Sequence, residues 1–172
     1  MKTELNREKL SAAGCRFGIV VSRWNSELTS RLADGAVEAI YEAGADPESI
    51  EIFHVPGSFE LPIACLKAAQ SGDFDAVIAL GVVIRGDTPH FEYVSMQTSA
   101  GIMQASMQTG VPVMFGVITA NDLEQAKQRS GEKADNKGYE AAHSAVEMVN
   151  LFREMNKRKN QGRGDKVLQN VV

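Results

Sequence analysis

Residues 76–90 read AVIALGVVIRGDTPH, and this stretch decides the fold class. Its first part, from Ala76 to Ile84, is apolar without alternation, which is typical of a parallel strand that is covered on both faces. After a polar turn, Thr88 and Pro89 predict a helix start, with Thr88 as the N-cap and Pro89 as the first helical residue. A buried strand that leads directly into a helix is the repeating unit of an α/β protein.

The same unit recurs along the chain. Three more apolar segments predict strands, at Phe17–Ser22, Ile50–Val55 and 111–118. The segments with helical periodicity are 28–40, 61–68, 90–109, 123–129 and 141–155. Because the crossovers are helical and four strands cannot close a barrel, we predict a flavodoxin-like three-layer α/β/α sandwich with a four-stranded parallel sheet.

The composition indicates one globular domain with a different C-terminal end. The chain has 172 residues, of which 44% are hydrophobic and 23% charged, which is enough for a sizeable core. Its net charge is −4, but residues 153–172 carry six Lys or Arg against two acidic residues. We therefore expect an N-terminal arm (1–15), one domain (16–155) and a basic, disordered tail (156–172).

Several classes of protein are excluded by what the sequence lacks. The acidic balance argues against a nucleic-acid binder. Cys15 and Cys65 are the two cysteines, too few for a disulfide framework or a zinc site. Residues 1–15 contain no apolar run of a signal peptide, and no later stretch approaches the roughly 20 apolar residues of a membrane span. No metal, P-loop or dinucleotide motif is present. We expect a protein of the reducing cytoplasm without a membrane partner.

Polar and aromatic residues follow the predicted strands, at the sheet edge where open parallel sheets bind ligands. Trp24 and Asn25 offer a stacking face and an amide for a heteroaromatic ring, although a core tryptophan fits the pattern equally well. Glu60 opens a helix, where helix capping alone also explains a carboxylate. His90 suits general acid/base chemistry, with a lone surface histidine as the alternative.

Phosphate is the anion that this edge would hold most naturally. Gly86 allows close backbone approach, and the helix start after it offers free amides and the positive end of a dipole. A capped helix without a ligand is the commoner meaning of such a start. Arg129 and Lys137 flank a polar segment between the last two helices and could supply cations, although surface solubility is the usual reason for such residues.

Together these residues resemble the 6,7-dimethyl-8-ribityllumazine synthase family, over about residues 14–155. The matching blocks are Arg23-Trp24-Asn25, Pro56-Gly57-Ser58-Phe59-Glu60-Leu61-Pro62, residues 81–94, Gly110-Val111-Pro112 with Phe115-Gly116, and Asn136-Lys137-Gly138. The resemblance implies condensation of 5-amino-6-(D-ribitylamino)uracil with 3,4-dihydroxy-2-butanone 4-phosphate, a transferase reaction and the penultimate step of riboflavin biosynthesis. It implies two small-molecule substrates and no metal or organic cofactor.

The resemblance also implies a role for each site residue. The stacking residue would be Trp24, the proton-transfer residue His90, and the carboxylate on the ribityl chain Glu60. Further substrate-binding residues would be Asn25, Gly57, Ser58, Val82, Val83 and Ile84, with Phe115 and Lys137 from a neighbouring subunit. The phosphate would be held by Gly86, Asp87, Thr88 and Arg129, with Arg129 also from the neighbour and with Asp87 contributing through its amide, because its carboxylate repels phosphate.

The resemblance also implies an oligomeric state, and it leaves two alternative functions open. Members of the family are homopentamers, and many form icosahedral shells of 60 subunits that allow an association with riboflavin synthase. The small residues of segment 90–109 suit packing around a five-fold axis. The alternatives are a non-catalytic flavin- or lumazine-binding paralogue, which we would expect to lack His90 or Arg129, and a shell-forming paralogue.

Overall fold

The computed structural model describes residues 10–168, with side chains described as far as residue 158. The strands are β1 (Phe17–Ser22), β2 (Ile50–Val55), β3 (Ala76–Ile84) and β4 (Val113–Ala120). The helices are α1 (Ser26–Glu42), α2 (Leu61–Ser71), α3 (His90–Thr109), α4 (Leu123–Gln128) and α5 (Lys137–Leu168), with short 3-10 turns at Pro47–Ser49, Ser58–Glu60 and Lys133–Asp135.

The four strands form one parallel sheet in the order β2-β1-β3-β4. Phe17 of β1 is aligned with Ile50 of β2 and with Ala76 of β3. The chain therefore moves outward from β1 to β2 and then crosses back over β1 to reach β3. The carboxyl edge between β1 and β3 is thus the point where the strand order reverses, which is where open α/β sheets bind ligands.

Helices cover both faces of the sheet, which confirms the predicted three-layer sandwich. Along β3 the buried side chains alternate: Ile78 and Leu80 belong to the cluster with α1 and α5, whereas Val77 and Ala79 belong to the cluster with α2 and α3. A strand buried on both faces has no polar side, and this explains the unbroken apolar run in the sequence.

Strand β4 lies two residues later than the predicted 111–118. The hydroxyl of Ser106 on α3 donates to the carbonyl of Val111 and accepts from the amide of Val113, so these residues form the turn that leaves α3. Pro112 between them has no N–H to give to a ladder. Apolar composition alone could not distinguish this turn from the strand that follows it.

The predicted cap at Thr88 is wrong. Helix α3 begins at His90, its N-cap is Pro89, and no side chain caps it. The carbonyl of Pro89 accepts the amides of Glu92 and Tyr93, so proline occupies the cap position and not the first helical turn. The amides of the first turn of α3 are left without the hydroxyl cap that the sequence predicts.

Helix α5 is longer at both ends than the predicted segment 141–155. It begins at Lys137 because Asn136 accepts the amides of Gly138 and Tyr139. It continues to Leu168, because a loss of apolar periodicity ends packing before it ends a helix. Of the predicted arm and tail, residues 1–9 and 169–172 lie outside the described residues.

Candidate active site

A cavity of about 570 Å³ opens at the carboxyl edge between β1 and β3. Its volume lies in the usual range of small-molecule sites. Predicted site residues from three strand ends and from the start of α3 meet there: Trp24, Asn25, Gly57, Ser58, Glu60, Val82, Val83, Ile84 and His90.

Trp24 lies beside the cavity and is 74% exposed, so its ring is not part of the core. Its amide donates to the carbonyl of Pro56 at 3.2 Å, which fixes the backbone just beyond the end of β1. Asn25 then turns the chain into α1 with a left-handed conformation (φ 59°, ψ 44°), and its Nδ2 donates to the carbonyl of Val82 at 3.0 Å. An aromatic face and an amide thus lie next to each other at the cavity wall.

Glu60 and Ser58 differ in how they face the cavity. One oxygen of Glu60, Oε2, accepts the amide of Gly57 at 2.9 Å, so capping accounts for half of this carboxylate. The other oxygen has no hydrogen-bond partner in the described part of the chain. Ser58 is 6% exposed, and its hydroxyl is buried without a hydrogen-bond partner against Gly81, where a Cβ would lie only 2.6 Å from Oγ. Its hydroxyl therefore does not reach the open part of the cavity.

His90 is exposed at the first position of α3 and borders the cavity. Three residues that the sequence does not predict for the site also line the cavity: the aromatic residues Phe59 and Tyr93, and Val94. Tyr93 lies three residues after His90, so helical spacing could have found it. Phe59 and Tyr93 are 58% and 68% exposed, which is unusual for aromatic rings and marks a surface that a partner or ligand covers.

The turn from Gly86 to Thr88 is exposed and lies beside His90. Within residues 10–168, no hydrogen bond engages its three amides. Its ends, however, are fixed by Arg85, which donates Nε to the side chain of Asn121 at 3.1 Å and forms an ion pair with Glu92. Free amides between fixed ends suit an anion. The hydrogen bond from Arg85 holds the pKa of Glu92 below its ordinary range.

Phe115, Arg129 and Lys137 do not line the cavity. Phe115 lies in the middle of β4, paired with Ala79, and is 46% exposed. Arg129 is the C-cap of α4, and Lys137 is the first residue of α5. The backbone amide of Lys137 donates to the carbonyl of Arg129 at 2.9 Å. The ammonium group of Lys137 forms an ion pair with Glu140. One chain therefore does not bring these three side chains to the cavity.

The described residues contain neither a candidate metal-binding cluster nor a helix that could span a membrane. They contain no group of three or more His, Cys, Asp or Glu side chains that could hold a metal ion. Nor does any helix within them have the length and apolar character needed to cross a membrane.

Comparison with known proteins decides what this site belongs to. A sequence model of 6,7-dimethyl-8-ribityllumazine synthase matches residues 14–153. The chain is 54% identical over 147 residues to a 6,7-dimethyl-8-ribityllumazine synthase of Syntrophus aciditrophicus (strain SB), a match that covers 86% of this chain and 96% of that relative. The chain belongs to the 6,7-dimethyl-8-ribityllumazine synthase family. A second relative of the same name, from Chlorobium chlorochromatii (strain CaD3), is 53% identical over 146 residues, covering 85% of this chain and 94% of the relative.

Membership of the lumazine synthase family confirms the enzyme class and the reaction that the sequence implies. The activity is the condensation of 5-amino-6-(D-ribitylamino)uracil with 3,4-dihydroxy-2-butanone 4-phosphate, in riboflavin biosynthesis. Both His90 and Arg129 are present, whereas we expect a non-catalytic paralogue to lack one or the other. Nothing observed on this chain favours that alternative.

Proposed function

We propose that the cavity between β1 and β3 holds the ribitylaminouracil substrate. The observation that carries this proposal is the meeting of three strand ends and the start of α3 around one volume of about 570 Å³. Trp24 stacks on the pyrimidine ring, and the backbone of Val82, Val83 and Ile84 binds its edge. Because Asn25 already donates to the carbonyl of Val82, it orients that carbonyl as well as contacting the ligand.

The ribityl chain lies toward the turn over residues 57–60. The Glu60 oxygen that is not used by Gly57 accepts ribityl hydroxyls. Gly57 and Ser58 act through their backbone, since the hydroxyl of Ser58 is buried against Gly81. A carboxylate that is already held by a backbone amide loses little freedom when a polyol binds, and this favours tight positioning of the chain.

The phosphate of the second substrate lies at the turn formed by Gly86, Asp87 and Thr88. The amides of this turn are free in the described structure and its ends are held by Arg85, so it binds an anion without rearrangement. The side chain of Asp87 would repel phosphate, so its amide is the binding group. Arg129 adds a bidentate cation, which also stabilises the phosphate as it leaves.

His90 transfers the protons between these two subsites. The amine of the first substrate attacks the ketone of the second, loss of water gives an imine, and phosphate is then eliminated. The resulting enol tautomerises and the ring closes with loss of a second water. Each step moves a proton, and none requires a strong base. Much of the acceleration then comes from holding two substrates together, which is worth roughly 7–11 kcal/mol in favourable cases.

The second half of the site comes from a neighbouring copy in a homopentamer. Phe115, Lys137 and Arg129 do not line their own chain's cavity, so a head-to-tail ring would bring them to the next one. Helix α3 also exposes three methionines, Met96 (64%), Met103 (64%) and Met107 (77%), an apolar surface that a second copy covers.

We further propose a cytoplasmic location, which agrees with the two free cysteines, Cys15 and Cys65. Assembly into a 60-subunit shell and association with riboflavin synthase extend the resemblance to the family. Sedimentation velocity distinguishes a pentamer from a shell. Co-sedimentation with riboflavin synthase tests the association.

An assay with purified protein tests the proposed site. The two substrates are mixed with and without protein, and both the fluorescent lumazine and the released phosphate are followed. We expect a saturable acceleration over the uncatalysed reaction, with one phosphate released per lumazine. If a folded wild-type protein gives no acceleration, or if Trp24→Ala and Arg129→Ala both leave the two KM values unchanged, the proposed site is wrong.

A further inference from the structure

Asn136, just before α5, is an amide whose hydrogen-bonding positions are all used. It is 3% exposed. Its Nδ2 donates to the carbonyls of Arg31 and Gly131, both at 2.9 Å. Its Oδ1 accepts the amides of Gly138 at 2.9 Å and of Tyr139 at 3.0 Å. One buried side chain therefore joins helix α1, the connector between α4 and α5 (residues 129–136) and the first turn of α5.

The surroundings of Asn136 leave this side chain no other position. A Cβ on Gly35 of α1 would lie 2.6 Å from the Asn136 side-chain atoms. A Cβ on Gly138 would lie 2.0 Å from the carbonyl oxygen of Leu32, so α5 packs directly against the backbone of α1. Gly35 thus provides the space that the amide occupies, and Gly138 allows α5 to approach the backbone of α1.

The same contacts fix the backbone of Arg129. The amide of Lys137, next to Asn136, donates to the carbonyl of Arg129 at 2.9 Å, and Ser130 forms an antiparallel bridge with Asn136. Within the described residues the guanidinium group of Arg129 has no hydrogen bond or ion pair. No other described group therefore holds this cation, and the position of its backbone determines the point from which the side chain extends.

We propose that Asn136 is a positioning residue, which clamps the connector to α1 and so presents Arg129 to the phosphate of the second substrate. This inference rests on the proposed phosphate role of Arg129. Asn136 itself touches no substrate. It acts because a cation displaced by about 1 Å loses much of its contribution to a bound or developing charge.

Substitution can separate the clamp from the helix cap. Asn136→Ser keeps a good N-cap for α5 but replaces the two N–H donors to the carbonyls of Arg31 and Gly131 with one shorter hydroxyl, which cannot bond to both carbonyls and cap the helix. Asn136→Asp keeps the volume and both acceptors and also removes the two donors. Asp46→Ala is the matched control, because it removes a cap that accepts the amide of Glu48 at 3.0 Å, far along the chain from the connector.

Steady-state kinetics on the full-length protein tests the clamp. For Asn136→Ser we expect KM for the butanone phosphate to rise about tenfold, the scale of a weakened charge-assisted hydrogen bond, with inhibition by inorganic phosphate weakened by the same factor. KM for the ribitylaminouracil should change less than about twofold. Asp46→Ala should lower Tm and leave both KM values unchanged. An equal rise of both KM values in Asn136→Ser, or loss of the fold in both Asn136 variants, would overturn the proposal.

A double-mutant cycle separates this inference from the proposed function. In an Arg129→Ala background, Asn136→Ser should cause no further rise in KM for the butanone phosphate. Full additivity would show that Asn136 does not act through Arg129. An unchanged KM in Arg129→Ala alone would contradict the phosphate role of Arg129. A raised KM in Arg129→Ala with an unchanged KM in Asn136→Ser would contradict the positioning role alone.

Discussion

The cavity edge and the connector differ in how their polar groups are used. At the cavity, the amides of residues 86–88 and one oxygen of Glu60 have no partners among the described residues, and Trp24 is 74% exposed. In the connector, the side-chain amide of Asn136 has all its hydrogen-bonding positions filled. Lys133 of the connector donates to the carboxylate of Glu42 on α1 at 2.7 Å, and this carboxylate also accepts the hydroxyl of Tyr139 on α5 at 2.7 Å. The cavity edge is thus built to receive ligands, whereas the connector is built to stay in place.

This contrast agrees with our proposal that the enzyme site is divided between the two regions. Exposed amides and a carboxylate oxygen at a fixed sheet edge are hydrated, and a bound substrate exchanges that water for direct hydrogen bonds. A rigid connector can carry a side chain such as Arg129 to a site elsewhere.

Gly138→Ala, in the first turn of α5 just after the connector, should cause the largest loss of stability. The added Cβ would lie 2.0 Å from the carbonyl oxygen of Leu32, a backbone atom that cannot move aside, so we expect a loss of about 3 kcal/mol in the free energy of unfolding. Urea denaturation measures it. Gly86→Ala is the control for the cavity edge, because nothing lies within 4 Å of its added Cβ, and its stability should match the wild type. Equal losses in both variants would remove the contrast.

His90→Ala should slow the chemistry without removing binding. We expect kcat to fall about 100-fold, near the lower end for general acid/base catalysis, because substrate positioning remains. KM for each substrate should change little. Stopped-flow measurement of lumazine formation checks this, with circular dichroism to confirm the fold. Complete loss of activity in a folded variant would mean that His90 does more than transfer protons.

Trp24 variants separate stacking from core packing. Trp24→Ala should raise KM for the ribitylaminouracil about tenfold, since stacking on a base contributes about 1–3 kcal/mol. Trp24→Phe keeps a stacking face and should stay within about twofold of the wild type. Because the ring is exposed, neither change should lower Tm appreciably. A large fall in Tm would show that Trp24 supports the fold.

Glu42→Gln should give the smallest effect, one that depends on pH. The hydrogen bonds from Lys133 and then Tyr139 lower the pKa of Glu42, so the ionised carboxylate is favoured in the folded protein. Its contribution to stability is therefore present above the ordinary carboxyl pKa and is lost as the pH falls through the lowered value. The small difference in Tm from the wild type at pH 7 should disappear in acid. A difference that persists in acid would contradict this ion-pair network.

The sequence predicts the cavity edge better than the connector for a physical reason. Strands β1, β2 and β3 begin and end at the predicted residues. In β1 and β3 a continuous apolar run ends at a polar turn, whereas β2 is a partly exposed edge strand that ends at the turn-forming pair Pro56-Gly57. Parallel strands then bring their carboxyl ends together whatever the details of packing. Local patterns of this kind are sufficient to gather Trp24, Glu60 and His90.

The connector depends on contacts that are distant in sequence. Asn136 bonds to Arg31, 105 residues earlier, and fits only because Gly35 lacks a side chain. The polar composition around Asn136 is that of any surface loop, so the sequence indicates a solvated segment where the structure has a clamp. The shift of β4 has a similar cause, since the Ser106 hydroxyl that holds Val111 in a turn is not visible in apolar periodicity.

The most direct test of a divided site is co-assembly of two impaired chains, His90→Ala and Arg129→Ala. In randomly mixed pentamers about one quarter of the interfaces would combine an intact cavity edge with an intact connector, so about one quarter of wild-type activity should return. The His90→Ala/Arg129→Ala chain mixed equally with wild type should also give about one quarter, instead of the half expected if each chain held a whole site. Activity no higher than the mean of the two single-variant pentamers would contradict a site completed by the neighbouring subunit.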